Sequence, residues 1–295
     1  MKFTPYQRGL IALVVLAFVY ASMGLFVRYL ATSFSIFQQV TLRVLAAFFL
    51  SLIFFGKSLD FSKFKKISKK EWGLLIFRSF SWYVLGVTMF SLAIVKTKYS
   101  NVSFISALPL TAVTGFILLK EKVTLQKIIF VLLAFAGVLL ISVEDYSNLM
   151  SWGQGEILAL VSCVFFSFAY IARRYHTDLL SNREITVITF FISFCMLAMT
   201  SLVVDRGLPT ENWSLMMLGA VIVAGFFNVG NIYLTNYGFQ HVESVLASNI
   251  LMLEALFAVI LGFIFFKEVP AWKEILGGVL IVAGVIGMNF EENNS

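Results

Sequence analysis

The sequence predicts an all-α membrane protein of ten transmembrane helices, built as two inverted five-helix repeats. Three observations carry this reading: a composition too apolar for a polar skin, ten apolar runs of membrane-spanning length, and a string that recurs in the second half of the chain.

Of 295 residues, 60 % are hydrophobic and 13 % charged, with a mean hydropathy of +0.91. Soluble domains carry about 25 % charged residues, and a core of this length would still need a polar surface around it. Runs of roughly 17–25 apolar residues cross about 30 Å of hydrocarbon. Ten occur, at about 9–30, 36–55, 72–95, 101–119, 126–143, 154–172, 185–204, 213–236, 245–266 and 271–289. A membrane barrel would show alternating strands of about ten residues. These runs are apolar on every side and read as helices. Lys2 and Arg8 precede the first run as in a signal peptide. The run is too long for a signal h-region, lacks a small-x-small cleavage site and is followed by nine more spans, so a retained helix is expected.

Orientation follows from the basic residues. With the N-terminus inside, 14 Lys and Arg fall in inner segments and 6 in outer ones, and the loop FSKFKKISKK at 61–70 dominates the count. The positive-inside rule then puts both termini in the cytoplasm of a bacterial inner membrane. Phe61, Phe64 and Ile67 recur every third residue in that loop and are expected at headgroup level.

The string FILLKEKVT at 116–124 returns as FIFFKEVPA at 263–271, 147 positions later. The same offset pairs Gly115 with Gly262, Glu121 with Glu268, Gly137 with Gly284 and Val138 with Val285. An offset of 146 pairs Gly9 with Gly155, Arg28 with Arg174 and Tyr29 with Tyr175, and Trp72 meets Trp213 at 141. The expected units are residues 1–147 and 148–295. Five spans are an odd number, so the second unit enters from the opposite side. Inverted repeats are the architecture of many secondary transporters, with a midplane site that opens to each side in turn.

Two halves that each end in apolar-Lys-Glu, followed by a helix bearing Ala-Gly-Val, resemble the EamA-type drug/metabolite transporter superfamily. Further matching features are Arg43 in TLRVLAAFF, Pro109 in SALPLTAVTGF and Glu254 in LMLEALFAVILGFIFFKE. The resemblance covers essentially the whole chain. It implies a bundle with a central cavity lined mainly by helices 1, 3, 4, 6, 8 and 9, and export or exchange of small metabolites. Ala255 departs from the family pattern, which often has Pro after the Glu, so a less kinked ninth helix is expected.

Charge inside a span marks candidate sites, because an ionised group at the bilayer centre costs about 3 kcal/mol or more unless it meets a partner or a wet cavity. Arg43, Arg78 and Glu254 are such residues. At 1.5 Å per residue, Arg78 lies roughly 10 Å and Glu254 roughly 14 Å from the inner ends of their spans, and Arg43 roughly 10 Å from an outer end. Depth pairs Arg78 with Glu254 and leaves Arg43 as a charge partner within reach. Two readings stand: a salt bridge locking two helices, or a cavity pair in which Arg78 takes a carboxylate and Glu254 an ammonium or a proton. Asn228, Asn231 and Thr235 share one side of the eighth helix, with Tyr233 and Asn236 on its flanks. They bond either neighbouring helices or substrate. Trp82 follows Arg78 by one turn with Tyr83 beside it, suited to stacking a flat or cationic ligand. Ser103, Ser106, Leu110 and Thr114 form a stripe on the fourth helix, where Pro109 is a candidate hinge or gate. Gly277, Ala283, Gly284 and Gly287 allow close packing of the tenth helix, within the chain or across a dimer.

Other chemistries lack support. Cys163 and Cys195 lie in apolar runs, and His176 and His241 have no ligand-spaced partners, so no metal or other cofactor is expected. No phosphate loop, HExxH or nucleophile constellation occurs, so enzyme chemistry is not expected. No basic helix face interleaves with aromatics, so nucleic acid is not an expected partner. The favoured reading is a secondary carrier that exports or exchanges small metabolites such as amino acids. Its partners are the substrate, the lipid bilayer, and protons or a counter-substrate, and it is a monomer or homodimer. Uptake of a nucleotide- or nucleoside-like metabolite is the alternative within the class, and a non-transporting membrane subunit or lipid scramblase the alternative outside it. The orientation is tested by single Cys probes in the 57–70 loop and after Asn289, treated on intact cells with an impermeant thiol reagent. Both should stay unlabelled, and ready labelling at either overturns the assignment.

Overall fold

The computed structural model describes residues 3–97, 99–122, 124–143, 153–261, 263–264, 267 and 269–294. Gly262 and part of the second Lys-Glu string, including Glu268, lie outside them. Ten helical segments follow the ten runs. They are α1 Pro5–Leu30, α2 Ile36–Phe55, α3 Lys69–Lys96, α4 (Tyr99–Ser106 and Leu110–Leu118), α5 Leu125–Ser142, α6 Gln154–Ala172, α7 Asn182–Val204, α8 Leu215–His241, α9 (Ser244–Leu251 and Leu253–Leu261) and α10 Trp272–Asn294. Among the described residues, nine are long and apolar enough to span a membrane, and α4 adds a shorter apolar helix.

Local sequence fixes the starts. Thr4 with Gln7, Ser35 with Gln38 and Ser181 with Glu184 form reciprocal capping boxes at α1, α2 and α7. Ser68 and Ser214 cap α3 and α8. These side chains satisfy amides that have no partner in the first turn.

The packing has the symmetry of an inverted repeat. Helix α1 packs on α8 as α6 packs on α3, and α9 packs on α1 as α4 packs on α6. The pairs α2–α7, α4–α9 and α5–α10 join equivalent helices across the pseudo-twofold. A Tyr6 hydroxyl donates to Asn289 Oδ1 at 2.9 Å, so both ends of the chain meet on one face, termed here the terminal face.

Helices α5 and α10 approach through their glycines. A Cβ on Gly277 would lie 2.5 Å from the Gly137 carbonyl oxygen, and one on Gly284 2.7 Å from that of Phe130. Gly277, Gly284 and Gly287 of α10 therefore serve packing inside the chain, whereas Ala283 is exposed. Replacing Gly277 by Val is expected to cost about 1–3 kcal/mol through overpacking, seen as a lower unfolding midpoint in detergent. Gly73 has open space around its Cβ position, so Gly73→Ala should hold or raise the midpoint.

Three helices depart from regular α geometry. Residues Phe80–Val87 of α3 form a π-helical segment containing Trp82 and Tyr83, and such segments are rare outside functional regions. In α4 the chain breaks at Pro109, which has φ −76° and ψ 43° and no N–H to donate. In α9 the break falls at Met252, whose N–H turns to the Asn249 carbonyl at 3.2 Å. The less kinked α9 expected from Ala255 is thus corrected: the helix is interrupted without a proline.

Candidate functional site

The interruptions of α4 and α9 face a common cavity of about 150 Å³ at mid-depth. It receives Tyr20, Met23 and Val27 from α1, Arg43 from α2, and Trp82, Val87, Phe90 and Ser91 from α3. Residues 106–111 come from α4, Cys163, Phe166, Ser167 and Tyr170 from α6, Asn228 and Asn231 from α8, and Ser248, Leu251, Met252, Glu254 and Ala255 from α9. Broken helices at matching places in two halves are where irregular backbone is tolerated in a membrane, because it lines a cavity.

Two charged side chains enter this space. Arg43 is 2 % exposed and donates from Nη2 to Ser91 Oγ at 3.3 Å, while its Nε–H has no partner among the described residues. Glu254 is partly exposed to the cavity and has no hydrogen-bond or ion-pair partner among the described residues. Asn228 donates to the Ala224 carbonyl and accepts from the Tyr83 hydroxyl at 3.2 Å.

Aromatic rings make the floor toward the terminal face. Trp82 meets Tyr170 edge-on with centroids 5.0 Å apart and Phe166 at 5.2 Å, and Tyr170 stacks on Phe239 at 4.4 Å. The Tyr20 and Tyr170 hydroxyls lie 2.7 Å apart, and Tyr20 also lies 3.5 Å from Thr235 Oγ1. The indole N–H of Trp82 is buried without a partner among the described residues. Gly86 keeps this packing possible, since a Cβ there would lie 2.6 Å from the Phe166 ring.

Beneath the floor, the terminal face is closed by polar contacts between the halves. Glu121, from the first Lys-Glu string, accepts the N–H groups of Ser244 and Val245 at 2.9 and 3.1 Å and so caps α9. The Tyr175 hydroxyl donates to the Leu118 carbonyl at 2.8 Å, and within the second half Arg174 donates to the Gln240 carbonyl at 3.2 Å near the end of α8. Lys127 lies 2.6 Å from Glu243 and 3.4 Å from Glu292. Burial acts to raise the Glu243 carboxyl, but the Lys127 ammonium outweighs it and holds the group below the usual carboxylate range.

The expected site residues divide. Trp82, Asn228, Asn231, Glu254, Arg43 and Pro109 line the cavity. Tyr83 and Thr235 are buried behind it, one bonded to Asn228 and the other near Tyr20. Tyr233 packs on Phe55 with ring centroids 5.3 Å apart, away from the cavity. Arg78 is the main correction: it does not line the cavity and is not paired with Glu254. Its Nε–H donates to the Ala169 carbonyl at 3.0 Å and its Nη2 to Asn236 Oδ1 at 2.5 Å. Of the fourth-helix stripe, Ser106 and Leu110 reach the cavity, Thr114 bonds its own helix, and the Ser103 side chain lies outside the described residues. Sequence reasoning missed Tyr20, Phe166 and Tyr170. The packing of α6 against α3, and of α1 close enough for Tyr20 to reach Tyr170, is set by tertiary structure, and an aromatic in an apolar run looks like any other core residue.

The EamA-like transporter family matches this chain twice, over residues 7–143 and 153–290. The chain belongs to this family. This EamA chain is 26 % identical over 193 residues to the uncharacterized transporter YcxC of Bacillus subtilis, a match covering 62 % of each chain, so it spans about three fifths of that relative. It is 24 % identical over 220 residues to the uncharacterized transporter YyaM of the same organism, covering 70 % of this chain and 72 % of the relative. A solved crystal structure superposes with TM-score 0.75 over 97 % of this chain and 98 % of its own at 14 % identity, a likeness of fold alone. The EamA chain is therefore a multi-pass membrane protein of a transporter family.

The break at Pro109 has a kinetic consequence. If α4 bends there during the cycle, Pro109→Ala restores a helix hydrogen bond and should slow substrate exchange in proteoliposomes several-fold with little change in affinity. An unchanged rate with weakened affinity removes Pro109 as a hinge.

Proposed function

We propose that this protein is a secondary carrier of a bacterial inner membrane, with both termini cytoplasmic, that exports or exchanges small metabolites such as amino acids by alternating access. The observation that carries this reading is the shared cavity at the two helix breaks, where Arg43 and Glu254 bring opposite charges to one small space. A zwitterion satisfies both: its carboxylate meets the free N–H of Arg43, and its ammonium meets Glu254. The aromatic rings and the Trp82 N–H hold the rest of the molecule. When no substrate is bound, a proton on Glu254 removes the cost of its charge, which supports proton coupling or exchange. The volume favours a molecule of amino-acid size over a nucleotide, since a dry cavity of about 150 Å³ accommodates benzene.

The cavity lies on the far side of the aromatic floor, and contacts between the repeats join the terminal face beneath it. This arrangement fits the half-cycle closed to the cytoplasm. In the other half-cycle, equivalent contacts of the second repeat close the opposite face.

Glu254→Gln tests the reading. The variant should purify folded, because Glu254 has no partner among the described residues to orphan. It should lose most of its transport, about tenfold or more, and its pH dependence should flatten. Flux in proteoliposomes that matches the parent at every pH overturns the role of Glu254.

A further inference from the structure

Arg78 needs an explanation that the cavity does not supply. It is 2 % exposed inside a membrane span, and its two hydrogen bonds go to neutral groups: Nε donates to the Ala169 carbonyl and Nη2 to Asn236, while Nη1 has no partner among the described residues. Glu71, an acid on the same helix, is committed elsewhere. It lies 2.6 Å from His176 Nδ1 and accepts the Thr177 N–H at 3.3 Å. Burial, with Arg78 and Arg173 nearby, holds the His176 ring well below the usual histidine range, so it is neutral.

The neighbouring charge is a second cation. Arg173 is 4 % exposed, donates from Nη2 to Asn182 at 2.6 Å, and has an Nε–H without a partner among the described residues. Asn182 in turn donates to Gln240, one turn below Asn236 on α8. Glu71 and Asp178 act on Arg173, whereas the cation beside Arg78 is Arg173 itself. A buried cation with a free N–H, no acid partner and a like charge beside it is a costly arrangement. Natural proteins keep such groups where an anion arrives. The position is informative: Arg78 holds the carbonyl of Ala169, adjacent to Tyr170 in the floor, so it lies directly beneath the cavity on the terminal side.

We propose that Arg78, assisted by Arg173, is a second anion subsite that takes the carboxylate of the transported molecule when the terminal face opens. The carboxylate leaves Arg43 above the floor and meets Arg78 below it, so the substrate is never without a cation along its path. This rests on the zwitterion reading for the identity of the anion and on the two arginines for the subsite itself. Arg78 binds through Nη1, freed when the floor rings part. Arg173 contributes its Nε–H from the other side.

The test uses the purified full chain with sodium benzoate as probe, against sodium chloride at equal ionic strength, read by thermal unfolding. The background is Arg43→Gln, which removes the cavity's own cation. Arg43→Gln should still show a saturable rise in midpoint with benzoate, and Arg43→Gln/Arg78→Gln should bind at least tenfold more weakly. Arg78→Lys in the same background should fall between them, since it keeps a charge but not the planar donors. If the Arg78→Gln combination does not purify folded, Arg43→Gln/Arg173→Gln carries the same expectation of weakened binding. Loss of the benzoate response in Arg43→Gln alone overturns the second subsite while leaving the cavity reading intact. Equal responses with and without Arg78 overturn it too. A tighter response to inorganic phosphate than to benzoate overturns the assignment to a carboxylate.

Discussion

Hydrocarbon cannot hydrogen-bond a peptide group, and this constraint governs the whole molecule. Each backbone N–H and C=O left open in the bilayer core costs several kcal/mol, so the chain crosses as helices that satisfy their own amides. The constraint also gives meaning to the exceptions. The breaks at Pro109 and Met252 and the π-helical turn around Trp82 survive because they abut a cavity or packed protein rather than lipid. The same stretches that weaken the ladder are those that line the cavity, so the cavity and the helix interruptions coincide.

Charge obeys a parallel constraint. Arg43, Arg78 and Glu254 each cost energy in a low-dielectric setting, and the fold does not neutralise them against one another. Arg43 and Glu254 face one cavity, and Arg78 sits one layer below among carbonyl and amide oxygens. Had Arg78 and Glu254 formed a salt bridge, they would have been a helix lock with little chemistry left to offer. Left apart, they keep bonding capacity for a ligand. The closure of the terminal face uses the opposite device: Glu121 on amides of α9 and Lys127 between two carboxylates are well satisfied, partly hydrated contacts.

The recurring apolar-Lys-Glu string has a physical role in this arrangement. Glu121 crosses from the first repeat to the start of α9 in the second, and Gly115 leaves room for its carboxylate, since a Cβ there would lie 3.0 Å from Oε2. A glycine six residues before the glutamate is thus part of the string's geometry. It joins the end of one interrupted helix to the beginning of the other.

The sequence by itself determined the helical class, the ten spans, the repeat and most helix starts, because these depend on composition, run length and capping side chains that act within a few residues. It also singled out Trp82, Asn228, Asn231, Glu254, Arg43 and Pro109, since polar groups and prolines are conspicuous in apolar runs. Tertiary structure alone decided which of these share a space. Arg78 and Arg43 have similar depths, yet the π-helical turn and the pairing of α3 with α6 turn Arg78 to the Ala169 carbonyl, while α2 presents Arg43 to the cavity. Tyr233 falls away toward Phe55 although its neighbours Asn231 and Thr235 face inward. The interruption of α9 lacked a local signal as well, because Met252 breaks the ladder without a proline. Azimuth around a helix that is apolar on every side is set by its neighbours, and that information lies between segments rather than within them.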